Sequence, residues 1–121
     1  LRGLHLQTGA SAEAKLIRCL KGAIFDVVLD LRESSKTFGR YQSFELSEKN
    51  GQMICLPRGC AHGFMTLKMN TEILYFVDNF YDPTAEVGVR YDDPMFNINW
   101  PMPPRVISDK DCSYPDYSSN P

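Results

Sequence analysis

Apolar runs of strand length, broken by turn residues about every 8–12 positions, make up most of this chain, and no stretch sustains a period of 3.6. That pattern confines the fold to antiparallel β architecture, a sandwich or a barrel. "KLIRCLKGAIFDVVLDLR" is rich in Ile, Val, Leu and Phe and is broken at Lys21-Gly22, so it reads as two strands around a turn. In the second of these, Phe25, Val27 and Leu29 alternate with Asp26, Val28 and Asp30, and one face therefore carries carboxylates. "RYQSFELS" follows, then "EKNGQ" with its Asn-Gly hairpin signal, then "MICLP". "GFMTLK" and "TEILYFVDNFY" flank a further turn at Met69-Asn70.

The character changes from Asp92. The remaining stretch holds six of the eight prolines, and proline cannot donate to a central ladder. It reads as an extended tail laid over the body, with room for one short edge strand or helical turn and a loose end at "SSNP". The 121 residues fit one domain, with a barrel core over residues 1–100 and a C-terminal tail over 101–121. A net charge of -2 gives no bulk electrostatic ground for a nucleic-acid partner. No apolar run approaches the ~20 residues that span a membrane, and nothing reads as a cleavable signal. Cys19, Cys55, Cys60 and Cys112 form no C-x-x-C pair. Cys19 and Cys55 lie in strand-like runs, where a thiol acts as a small hydrophobe. A reducing, cytoplasmic setting is the expectation.

Few residues could carry chemistry. The two histidines are His5, in the opening "LRGLHLQ", and His62, in "LPRGCAHGF". Each reads alone as a core or rim histidine tied off by a hydrogen bond; as a pair they suit proton transfer near neutral pH. His5 is followed by Leu6 and Gln7 with no second histidine nearby, so no metal site is expected. Lys15 reads either as a solvated rim lysine or as a cation facing an oxyanion. Tyr75 reads as a packed strand residue or, facing a cavity, as a weak acid. Asp111 is by residue type a solvated loop carboxylate.

Together "LRGLHLQ", "AKLIRCLKGAIFDVVLDLR", "FGRYQSFELS", "LPRGCAHGFMTL", "TEILYFVDNFYDP" and "GVRYDDPMFNINWP" resemble the nucleotide-sugar 3,5-epimerases of the cupin superfamily. The likeness covers most of Leu1 to Pro101 and continues weakly through "SDKDCSYPDY". It implies an all-β, antiparallel jelly-roll barrel, a homodimer, and proton exchange beside the C4 ketone of a nucleotide-linked 4-keto-6-deoxyhexose without cofactor or metal. By motif, His5 resembles the general base and Asp111 its carboxylate partner, with Asp26 as the alternative. Lys15 resembles the cation that meets the enolate oxygen, Tyr75 the acid on the opposite face, and His62 a further substrate contact. Arg2 resembles a phosphate-contacting residue, Tyr81 the ring that stacks on the nucleotide base, and Glu86 and Lys110 further ligand contacts.

The family carries a substantial segment before R-G-x-H, and this sequence opens at that motif. Without those strands an exposed sheet edge is expected, together with weaker nucleotide affinity. Leu6 stands where the family often has an aromatic residue, and Phe80 where it often has tyrosine. The rival readings are a non-catalytic cupin or subunit that binds a nucleotide-sugar, and a single-site 3- or 5-epimerase acting on a different one.

Overall fold

The computed structural model describes residues 1–118. Its strands are β1 (Arg2–Gln7), β2 (Lys15–Lys21), β3 (Ala23–Asp30), β4 (Tyr41–Ser47), β5 (Met53–Leu56), β6 (Cys60–Thr66), β7 (Glu72–Val77) and β8 (Glu86–Gly88), followed by one helical turn, α1 (Asp109–Cys112). They form two sheets, β4-β3-β6-β1-β8 and β5-β2-β7, and every pairing is antiparallel. This is the expected jelly-roll barrel. Of the turns between successive strands, only the β3–β4 connection stays within one sheet; the others carry the chain across.

That crossing corrects one expectation. The turn at Asn50-Gly51 exists, with the Asn50 amide donating to the Glu45 carbonyl at 2.8 Å. Yet it closes no hairpin: β4 is laddered to β3, and β5 to β2. A tight turn reverses the chain but does not decide which sheet edge the chain rejoins.

Alternation along β3 feeds two separate cores. Phe25, Val27 and Leu29 pack with Leu4, Leu6, Ala61 and Val89 on the outer face of the larger sheet. Ile24 and Val28 pack with Ile17, Cys19, Leu46 and Leu56 between the sheets. A strand buried on both faces cannot leave its carboxylates in water, and Asp26 and Asp30 are indeed buried; each therefore needs a partner. Asp30 has Arg32 in a bidentate pair at 3.0 Å on both oxygens, with Ser35 and Thr37 also donating to it.

The tail covers the outer core. Phe96, Ile98, Trp100 and Tyr117 pack on that face, and Asp93 pins the tail by accepting from the backbone N–H of Tyr117 at 2.7 Å. The helical turn anticipated in this segment is α1. The expectation for the end of "SSNP" falls on residues 119–121, which lie outside the described residues. Cys19 is buried as expected, whereas Cys55 is exposed: it stands on the outward side of the short strand β5, left uncovered by the described residues. Leu20, Met53, Leu74 and Phe76 are likewise exposed on the smaller sheet.

Candidate active site

A cleft of about 890 Å³ opens between the two sheets, walled by β1, β6 and β8 on one side and by β2 and β7 on the other. Tail residues 106–108 and Asp111 close one flank. Leu4 and Leu6 belong to the outer core, so pleat alternation turns His5 and Gln7 the other way, toward the cleft.

Gly3 explains why the motif needs a glycine two residues before the histidine. Its φ is +108°, and a Cβ there would lie 2.6 Å from both the Gly63 Cα and the His62 carbonyl oxygen. Only a residue without a side chain lets β1 press this closely on β6. Gly3→Ala is expected to lower stability by roughly 2 kcal/mol or more, read as a reduced urea midpoint. A midpoint equal to that of the parent would show that the strands separate without cost.

Two histidine–carboxylate pairs lie side by side, since His5 and His62 are register partners. His5 Nε2 is 2.6 Å from Asp111 Oδ1, and Asp111 Oδ2 accepts from the Gly3 N–H at 3.1 Å. Asp111 is presented by α1, whose N-cap Ser108 accepts from the Asp111 N–H at 3.1 Å. His62 Nε2 is 2.6 Å from Asp26 Oδ1. The partner of His5 is therefore Asp111, and Asp26 serves His62. Asp26 Oδ2 is buried with no hydrogen-bond partner among the described residues.

His5 Nδ1 lies 3.8 Å from Glu86 Oε1. The other Glu86 oxygen accepts from Lys110 Nζ at 2.9 Å and from the Tyr81 hydroxyl at 3.2 Å. Burial, the largest single influence, would raise the Glu86 carboxyl, but Lys110, His5 and the Tyr81 hydroxyl together outweigh it and hold it below the usual glutamate range. Lys15 lines the opposite wall with Nζ 3.8 Å from Glu13. Burial pushes its ammonium below the ordinary lysine range, against the opposing pull of Glu13, Glu86 and Asp26. Tyr75, half exposed on β7, faces the same cleft, as does Arg2 at its rim. Nine of the ten residues singled out in the sequence thus line one cavity, and the tenth, Asp26, is bonded to His62. Among the described residues, no three His, Cys, Asp or Glu side chains are grouped to hold a metal, and no helix is long and apolar enough to cross a membrane.

Gln7 escaped notice as more than a motif letter. It is buried, and it donates to the Ser11 and Phe80 carbonyls at 2.8 and 3.0 Å while accepting from the Asp82 N–H at 2.8 Å. These bonds fix the loop that carries Tyr81. A polar side chain on the inward face of β1 was the available signal.

The family model described as dTDP-4-dehydrorhamnose 3,5-epimerase matches residues 1–119. A dTDP-4-dehydrorhamnose 3,5-epimerase from Sinorhizobium fredii is 48 % identical over 116 residues, covering 95 % of this chain and 60 % of the relative. The crystal structure of one from Elizabethkingia anophelis superposes with a TM-score of 0.93 at 43 % identity, covering 96 % of this chain and 65 % of that one. A dTDP-6-deoxy-D-glucose-3,5-epimerase from Legionella pneumophila, solved with dTDP-4-keto-L-rhamnose, gives a TM-score of 0.86 at 38 % identity, covering 91 % of this chain and 58 % of that one. The chain thus spans about 60 % of the length of the Sinorhizobium fredii and Shigella flexneri relatives.

Proposed function

The chain belongs to the dTDP-4-dehydrorhamnose 3,5-epimerase family, and from that premise we propose that it converts dTDP-4-dehydro-6-deoxyglucose to dTDP-4-dehydrorhamnose by inverting C3 and C5. One observation carries the reading: a carboxylate-held histidine on one wall of the cleft faces a lysine and a tyrosine on the other.

The substrate's C4 ketone acidifies the protons on its two neighbouring carbons, because the charge left behind delocalises onto oxygen. A carboxylate can only accept, so His5 donates its Nε2 proton to Asp111 and keeps the lone pair on Nδ1. That nitrogen takes the carbon-bound proton, and Asp111 offsets the imidazolium that forms. Lys15 meets the developing enolate oxygen. Tyr75 returns a proton from the opposite side, which inverts the centre, and His62 supports the sugar beside it. Arg2 and Lys110 suit the diphosphate, Tyr81 stacks on the base, and Glu86 holds the last two in place. The net change is configuration at two carbons, so no electrons leave the substrate and no redox group is called for.

The exposed Leu20, Met53, Leu74 and Phe76 support a homodimer, and four free thiols fit a reducing, cytoplasmic setting. The test is proton NMR in deuterated water with dTDP-4-keto-6-deoxyglucose. Loss of the H3 and H5 signals is expected, and loss of only one would name a single-site enzyme. Retention of both, with dTDP still bound in a titration, would leave a binding protein in place of an enzyme.

A further inference from the structure

A single hydrogen bond fixes one atom of an imidazole but leaves the ring free to swing about that bond. His5 has such a bond to Asp111 through Nε2, while Glu86 stands off from its Nδ1 at 3.8 Å. Something else must set the ring plane if Nδ1 is to meet a carbon-bound proton. We propose that Tyr114 is the positioning residue that does so, a role that rests on the epimerase reading of this cleft.

The ring of Tyr114 stands nearly perpendicular to that of His5, with centroids 6.1 Å apart and an interplanar angle of 75°. It reaches this place because Gly88, the register partner of His5 on β8, has no side chain. A Cβ on Gly88 would lie 1.9 Å from the Tyr114 Cζ. The tyrosine ring thus fills the volume of the missing side chain, directly across the strand pair from the histidine. Gly88 has no left-handed backbone to explain its identity; the close approach of the ring does.

Tyr114 also follows Asp111 by three residues, in the segment just past the C-cap of α1. One short segment therefore presents a carboxylate to the imidazole nitrogen and an aromatic ring to its plane. The segment is held from behind: Arg90 donates to the Tyr114 carbonyl at 2.8 Å and to Asp116 at 2.7 Å. The Tyr114 hydroxyl is buried with no hydrogen-bond partner among the described residues, and burial pushes the phenol up. The ring, not the polar handle, makes the contact that matters.

The protein has only two histidines, which makes the test direct. With 15N-labelled histidine, the ring signals of His5 and His62 are followed in the parent, Y114F, Y114A and Y114L, the leucine variant refilling the space in case alanine unfolds the chain. Y114F is expected to keep the parent His5 signals, a Tm at or above the parent value, and kcat within about twofold. Y114A and Y114L are expected to keep the Nε2–H tautomer, which Asp111 still holds, but to shift and broaden the His5 ring signals as the ring plane is freed while His62 stays put, with kcat down about tenfold and KM within twofold. Unmoved His5 signals in Y114A and Y114L would overturn the proposal, as would joint movement of both histidines, which marks a change of fold. Y114F behaving like Y114A would also overturn it, because the hydroxyl would then be the working group. The NMR arm decides even if no epimerisation occurs, so failure of this inference is distinguishable from failure of the epimerase reading.

Discussion

Replacing His5 with alanine is expected to slow exchange at C3 and C5 by about 10²–10⁴-fold, with KM little changed. The informative companion is Asp111→Asn. Asp111 uses its two oxygens differently: one accepts from the Gly3 backbone N–H at 3.1 Å and the other faces His5 Nε2 at 2.6 Å. An asparagine must offer its only oxygen to Gly3, so its amide hydrogens turn toward the imidazole. His5 is then forced to carry its proton on Nδ1, the atom that has to act as base. Asp111→Asn is therefore expected to cost nearly as much as His5→Ala, and the double variant little more than either single. Asp26→Asn is expected to be milder. The second oxygen of Asp26 has no described partner, so an asparagine there is free to orient either way. Activity of Asp111→Asn above about a tenth of the parent would remove Asp111 from this role.

How far the sequence led is clearest where local pattern and long-range pairing part company. Alternation in "FDVVLD" identified two opposed faces of β3, and both proved buried in separate cores. The same local reading failed at Asn50-Gly51, because turn chemistry says that the chain reverses and is silent about partners in space. β8 has three residues and is too short for any alternation to register. In the site, His5 and Asp111 lie 106 positions apart, and nothing in composition or spacing links them. Only the family likeness of "LRGLHLQ" and "SDKDCSYPDY" brought them together on paper, and it left Asp26 as a competitor until the geometry paired that residue with His62. Gln7 and Tyr114 were invisible for a related reason. Each acts by holding something else, and a supporting contact of this kind leaves no period or motif in a single chain.

Lys15→Met is expected to reduce kcat by about 10²–10³-fold while leaving KM nearly unchanged, because the charge it removes is needed most in the transition state. The pH profile adds a second readout. Burial lowers the Lys15 ammonium below the usual lysine range, opposed by Glu13, Glu86 and Asp26. The form that stabilises an enolate is the protonated one. Its contribution is therefore full below the Lys15 pKa and lost as pH rises through it. Since that pKa is lowered, the alkaline limb of kcat should set in at lower pH than an exposed lysine would give. In Lys15→Met the charge is absent at every pH, so this limb should flatten along with the fall in rate. Lys15→Arg keeps its charge throughout and should push the limb upward, at some loss of rate from the bulkier head group. An unchanged limb in Lys15→Met would assign it to another group in the cleft, with Tyr75 the first to examine, and would leave Lys15 an electrostatic role no pH profile reports.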